Sequence, residues 1–378
     1  MKIDKYSAIL GNTVGFHDMS SLTDHRPVAS LPFDGKYRLI DFPLSSLANA
    51  GIRSVFGIFQ QENISSVFDH IRSGREWGLS TLLSHYYLGI YNTPVESSNV
   101  GKEYYEQLLT YLKRSGSNHT VALNCDVLVN IDLNQVFHLH NTIDAPITVV
   151  YKKMHHRDIS EVNAVFEIDD TDHVRGQKLF DGTDPDALYN MSTDIFIVDT
   201  PWLIEKLEAE IHKEHPEKLR YILRDLAVEH GAFAFEYTGY IANIHSVESY
   251  YRANLDMLET NKFMSLFSPN QKVYTKVKNE EPTYYAPGSQ IKNSQFASGS
   301  IVEALVHDSV ISRRVHLHKG AEIRSSLLFP GVVVHEGAVV EHAILDKGVV
   351  VETGVTIRGT KEAPLVIKKG AVITEDIG

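Results

Sequence analysis

The chain contains 19 histidines, and histidine is the side chain most ready to ligate a metal or move a proton near neutral pH. His155-His156, His138 with His140, and His316 with His318 stand close together in sequence. No carboxylate or cysteine at a useful spacing completes a ligand set beside them, so surface or coil-face histidines are the expectation. Asp126 follows the apolar run Thr120-Val-Ala-Leu-Asn124, where an aspartate commonly caps a turn. Arg38 and Asp41 stand at the start of a helical pattern, and read as a structural ion pair favoured by the helix dipole. Cys125 is the one cysteine. It ends an apolar strand and is expected to be buried and inert.

These residues need elements to hold them. Up to about residue 260, short apolar runs (6–10, 54–58, 120–124, 147–150) alternate with helical spacing (43–50, 63–72, 103–114). Strands alternating with helices imply a mostly parallel sheet covered on both faces, a Rossmann-like α/β domain. Ligands of such sheets sit at the carboxyl ends of the strands. The tyrosines and leucines of residues 103–114 and Trp77 are expected in the core.

After about residue 285 the helical patterns stop. Val315, Ala321, Leu327, Val333, Val339, Leu345, Val351 and Ile357 are spaced by six, and all are apolar. Chance would give this about once in a thousand per phase. Glycines 320, 331, 337, 348 and 354 mark turns. This is the pattern of a parallel β-helix built from hexapeptide repeats. Pro269, Pro282, Pro287 and a charged stretch between them place a joint here. The domains are expected at residues 1–261 and 287–378, with a linker at 262–286.

The net charge of −12 argues against a nucleic-acid or anionic-membrane surface. It does not exclude a local basic pocket for a phosphorylated metabolite. The lone cysteine, the absence of a signal-peptide pattern and the lack of an 18-residue apolar run suggest a cytoplasmic protein.

Residues 26–52, which include Tyr37-Arg-Leu-Ile-Asp-Phe-Pro-Leu44, closely resemble a signature of bacterial ADP-glucose pyrophosphorylases (glucose-1-phosphate adenylyltransferases). The segment from Gln61 to Asp69-His-Ile71 agrees with it. So do Tyr240-Ile-Ala-Asn-Ile-His, followed by Tyr250-Tyr-Arg-Ala-Asn254, and the hexad tail with Ala343-Ile-Leu-Asp-Lys347. The resemblance covers nearly the whole chain in the right order, and it implies that the C-terminal β-helix is left-handed. It also implies a Mg²⁺-dependent reaction in which glucose 1-phosphate attacks the α-phosphorus of ATP, giving ADP-glucose and pyrophosphate. Such chemistry needs positioned phosphates and a metal to neutralise charge.

The resemblance also exposes departures. The family's Leu-Ala-Gly-Gly-x-Gly-Thr-Arg-Leu loop is Leu10-Gly-Asn-Thr-Val-Gly-Phe-His-Asp18 here. Gly11, Asn12 and Gly15 are what remains of it, without the adjacent glycines that admit phosphate to the backbone and without the arginine. The family's Arg-Ala-Lys-Pro is Arg26-Pro-Val-Ala29, so its lysine is Val28. Of the two family metal carboxylates, Asp126 stands in place, whereas the second is Asn243, a poor ligand for Mg²⁺. The sugar-phosphate lysine has only Lys178 as a nearby candidate, and Ser-Met-Gly has become Asn190-Met-Ser192. Arg38, Asp41 and Gln61 survive as possible ligand-binding residues. Family effectors bind between the domains, where Lys36, Arg38, Arg313 and Arg314 offer positive charge to a sugar phosphate.

This set of losses resembles the family's regulatory D-type subunits. It implies a catalytically impaired chain, with no or weak Mg²⁺ binding, that joins a catalytic homologue in a heterotetramer for glycogen biosynthesis. One alternative is an active adenylyltransferase with a divergent loop. Another is a β-helix acyltransferase using His316, His318, His335 or His342, which the large α/β domain argues against.

Overall fold

A computed structural model describes the chain except residues 1–5, 13, 82–83, 95–96, 144, 181, 183 and 185. The strand Tyr6–Asn12 lies at the centre of a nine-stranded sheet. It pairs in parallel with Ser54–Gln60 on one side and His119–Asn124 on the other, and His85–Tyr91 continues the parallel half. The other half turns antiparallel at Leu188–Asp199, which pairs with His119–Asn124, Ile147–His155 and Ala164–Ile168. Successive side chains of a strand point to opposite faces. Ala8 and Leu10 therefore join one buried cluster with Leu44, Leu47 and Val136, while Ile9 joins another with Tyr104, Leu108 and Leu112. The helix Lys102–Ser115 supplies those last three, so its apolar stripe is core as expected. Trp77 and Cys125 are buried too.

The C-terminal third coils into three parallel sheets, consistent with a left-handed β-helix. His316 pairs with Val333 and Val333 with Val350, so the central coils are 17 residues, not three full hexads, while Ile301 to His316 spans 15 and Val350 to Val372 spans 22. Inward side chains follow Leu317, Ile323, Leu328, Val334, Val340, Leu345 and Val351, all fully buried, in steps of six, five and six. The strict six-residue row seen in the sequence therefore drifts between columns. Val333 and Val339, which belong to that row, come out half-buried. At one corner, serine hydroxyls take up backbone N–H groups: Ser309 Oγ accepts from Ser326 N (3.1 Å), and Ser326 Oγ from Ala343 N (3.2 Å). Gly320, Gly337 and Gly354 recur every coil with φ near +70°, a conformation that costs glycine least.

The change of architecture is continuous in space. The helix Thr260–Leu266 closes the α/β part, and the strand Tyr284–Tyr285 already pairs with the β-helix strand Ile301–Val302. One apolar cluster spans both parts: Phe33, Phe42, Tyr250 and Tyr251 meet Val310, Leu327, Phe329 and Ile344. Tyr251 Oη bonds Ser325 O and His342 Nδ1. The part-buried Arg26 guanidinium pairs with the buried Asp346. Among the described residues no helix is long and apolar enough to cross a membrane.

Breaking a buried ion pair from one side strands the other charge, at a cost of about 3–5 kcal/mol. Arg26→Ala is expected to loosen the two parts from each other. Scanning calorimetry should then resolve two transitions where the parent chain shows one, and a single unshifted transition would contradict the role given to this pair.

Candidate functional site: a cleft closed by a guanidinium

The carboxyl ends of the parallel strands are where a ligand is expected. Gly11 lies there, opposite Ile58 and Asn124. The central strand runs on through Asn12, so Gly11 and Asn12 are strand where the resemblance implied a loop. Thr13 and the side chain of Asn12 lie outside the described residues. Gly15 sits in the irregular stretch before the short turn His17–Met19. The helix Leu219–Glu229 packs beneath this edge with Leu219, Ile222, Leu223 and Leu226 buried. Arg220 and Arg224 are four residues apart, so they share its buried face.

Those arginines meet two carboxylates. Arg220 Nη1 and Nη2 each donate to Asp126 Oδ2 at 3.2 Å, and Arg220 also bonds Asp194. Arg224 Nε and Nη2 donate to the two oxygens of Asp194 at 2.7 Å. Asp194 has φ +54° at a register shift between Ser192 and Ile195. Such a bulge re-aims a side chain, and here it turns the carboxylate down to the helix. Burial alone would raise the Asp194 pKa, but Arg220 and Arg224 overcome it and hold the carboxyl at about 2. Burial likewise opposes the charge on Arg220, and Asp126 and Asp194 outweigh it, so its pKa is raised. The space between Gly11, Asn124, Asp194 and Arg220 is a cavity of about 20 Å³, room for about one water.

Asn243 is brought to Asp126 by strand pairing: it lies opposite Val127, and Ile244 N donates to Asp126 O at 2.8 Å. Its amide nitrogen turns away, donating to Asn163 Oδ1 (2.7 Å) and Asp158 O (3.1 Å), while its Oδ1 is buried without a partner. A Mg²⁺ held by Asp126 would have to displace a guanidinium already bound there. Asp126 and Asp194 are both already paired with Arg220, and Asn243 offers only an amide oxygen, so the set as arranged does not fit a Mg²⁺ ion, which asks for free anionic oxygens and water.

The remaining sequence candidates scatter. The Arg38 guanidinium does not pair with Asp41; its Nη1 donates to Ser66 O at 2.7 Å. Asp41 instead accepts from the Arg38 backbone N (2.9 Å) and meets buried His70 at 2.5 Å. The ion pair read from the sequence is thus a backbone cap plus an imidazole contact. Gln61 is exposed at the end of its strand, with its backbone N bonded to Tyr91 O. Lys178 is exposed on the sheet's edge strand, opposite Val165. Lys36 lies over the Tyr37 ring at 4.9 Å.

Arg38 and Arg313 do approach each other between the two parts of the chain, joined by Arg26, Lys276 and Lys278. Burial lowers the Arg38 pKa; Asp41 and Asp69 oppose the shift, and Arg26 and Arg313 add smaller lowering contributions. Lys278 is lowered by burial and then by Lys276 and Arg313. Part of this charge is already met: Arg313 and Arg314 both face Glu280, at 3.7 and 3.4 Å, and Lys276 faces Asp69.

Histidine ligand sets also differ from the expectation. Carboxylates do complete two of them, because the fold brings distant segments together. Glu303, one coil away, stands 3.8 Å from His316 beside His318, and Asp199 stands beside His140 together with His119. His342 is tied to Tyr251 at the interdomain contact.

The Asp194 carboxyl titrates at about 2, against 3.8 for an unperturbed aspartate. Its contribution to stability is therefore complete above about pH 4 and lost as the pH falls towards 2. Asp194→Asn should cost about 3–5 kcal/mol at neutral pH by leaving two buried guanidinium groups short of charge. Denaturant unfolding at pH 7 and pH 3 should show the variant's deficit shrinking at the lower pH; an equal deficit at both would contradict the assignment.

Residues 19–259 match the family model described as nucleotidyl transferase, and residues 281–364 match the GlmU-like C-terminal hexapeptide model. The chain is 30% identical over 377 residues to the "Glycogen biosynthesis protein GlgD" of Bacillus subtilis (strain 168), covering 96% of each. It is 30% identical to the protein of the same name from Geobacillus stearothermophilus, over 99% of each. It is also 28% identical to the "Glucose-1-phosphate adenylyltransferase" of Geobacillus stearothermophilus, covering 81% of this chain and 80% of that protein. A nucleotidyltransferase sheet, a hexapeptide coil and relatives matched from end to end place the chain in the glucose-1-phosphate adenylyltransferase family, most like its GlgD members.

Proposed function

We propose that this chain is a catalytically impaired, regulatory subunit that works in the cytoplasm with a catalytic glucose-1-phosphate adenylyltransferase homologue in glycogen biosynthesis. The observation that carries this reading is Arg220 bound through both terminal nitrogens to Asp126. A positive group of fixed geometry stands where the reaction would need an exchangeable dication. The altered phosphate loop and Asn243 point the same way. Removing one positioned electrostatic contact typically costs about 10²–10³ in rate, and several are missing together.

A regulatory role also needs a place to receive a signal. The cations Arg26, Arg38, Arg313, Lys276 and Lys278 gather where the α/β part meets the β-helix. Arg26, Arg313 and Lys276 already face Asp346, Glu280 and Asp69, and the remaining positive charge at Arg38 and Lys278 supports a phosphorylated sugar as effector. The partner in this reading is the catalytic homologue, assembled with this chain as a heterotetramer.

Pyrophosphate release from ATP and glucose 1-phosphate with Mg²⁺ tests the first part. The chain alone should be silent, and a co-purified mixture should differ in rate or effector response from the catalytic homologue alone. Substantial turnover by the isolated chain would favour an active enzyme with a divergent loop. Titration calorimetry with a panel of sugar phosphates tests the second part. Lys278→Ala should weaken binding about tenfold, the worth of one charge-assisted hydrogen bond, and no heat with any of them would remove the effector site.

A further inference from the structure

The parallel strand His119–Asn124 has two ends. Asn124 faces the cleft, and His119 lies at the opposite edge of the sheet, about 16 Å away at 3.3 Å per residue. Antiparallel pairing sets Asp199, the last residue of its strand, directly against His119. The helix Leu133–His140 ends at the same place, so His140 is delivered by a helix C-terminus, the end that favours a cation.

Asp199 Oδ1 is 2.9 Å from His119 Nδ1 and 3.4 Å from His140 Nε2. All three ligand atoms lie within 4.8 Å of one another. Metal–ligand bonds of about 2.0–2.1 Å give a tetrahedron with edges of about 3.3–3.4 Å, which the two measured distances bracket. His140 is further fixed by Thr148, whose Oγ1 is 2.8 Å from the other ring nitrogen. Orientation of a ligating imidazole through its second nitrogen is the usual support of a metal site. Tyr6 stacks on the His119 ring at 5.3 Å. His140 is buried, but Asp199 is 42% exposed, so an ion has an entry path and room for water as a fourth ligand.

From this geometry we infer that His119, His140 and Asp199 bind one late transition-metal dication of the Zn²⁺ class. Two imidazoles and one carboxylate suit Zn²⁺ or Co²⁺, and not the hard Mg²⁺ that the family's chemistry uses. The ion ties together the ends of two strands and a helix on the far side of the sheet from the cleft. Its function is structural and independent of nucleotide.

The test uses the untagged full chain, stripped with EDTA, carrying His316→Gln and His318→Gln so that the exposed histidines near Glu303 do not compete. Co²⁺ titration should give the visible d–d bands of a tetrahedral site, saturating at one equivalent per chain. Zn²⁺ should displace the Co²⁺ and raise the thermal midpoint. His119→Gln and Asp199→Asn, both at partly exposed positions, should abolish the bands, and Thr148→Val should weaken Co²⁺ binding about 10–100-fold by freeing the His140 ring. Absence of the bands in the parent protein, or bands that persist in both His119→Gln and Asp199→Asn, would overturn the site.

Discussion

The buried contact of Arg220 with Asp126 and Asp194 is the constraint around which the cleft is arranged. Two carboxylates buried in one cleft need a countercharge, because the cost of burying an unpaired charge far exceeds that of an ordinary polar group. In this chain the helix Leu219–Glu229 supplies it. Arg220 reaches both carboxylates, and Arg224 completes Asp194 through two further bonds. The positive φ at Asp194 belongs to the same device, since the bulge aims the carboxylate at the helix. Charge attached to the chain balances these two carboxylates without drawing an ion from solution.

The second constraint lies where the two parts of the chain meet. The β-helix presents Phe329, Leu327 and Ile344 to an apolar cluster supplied by Phe33, Phe42, Tyr250 and Tyr251. Those aromatics belong to the segments at residues 26–52 and 240–255 by which the family resemblance is recognised. The strongest sequence signature is thus partly a packing signature. Next to this apolar contact lies the gathering of cations around Arg38 and Arg313. Apolar burial fixes the two parts against each other, and the charges ride on that fixed geometry.

Much of the architecture was legible because it repeats. The apolar run at residues 6–10, helical spacing at residues 103–114 and glycine corners in the coil each report a local geometry that residue type reveals. The coil length was not, since a row of residues six apart hides coils of 15, 17 and 22 residues until strand register shows where each side chain points. The site divides the same way. The loss of the glycine loop and of the second carboxylate could be read at single positions. The guanidinium on Asp126 could not, because it comes from a residue 94 positions away. Its one sequence trace is a pair of arginines spaced by four on the apolar side of a helix, Arg220 and Arg224, which is an unusual place for charge unless partners wait there. His119, His140 and Asp199 escaped for the same reason: they are 80 and 59 residues apart in chain and meet only through sheet pairing.

These two kinds of legibility bear on how such a chain can keep its fold while its cleft changes. The core clusters, the coil and the interdomain cluster are held by many small apolar contacts, and Ile9, Tyr104, Phe196 and Leu223 of one core cluster also form the apolar wall of the cleft. The cleft is held by a few strong charged contacts whose requirement is only that opposite charges balance. A dication between carboxylates meets that requirement, and so does an arginine. The two differ in kind, because a dication carries exchangeable water that phosphate oxygens can replace, and a guanidinium fixed to the chain and bound to Asp126 and Asp194 does not. Charge balance is met in either case, and under the function proposed above the identity of the balancing group is what separates this cleft from one that handles phosphate.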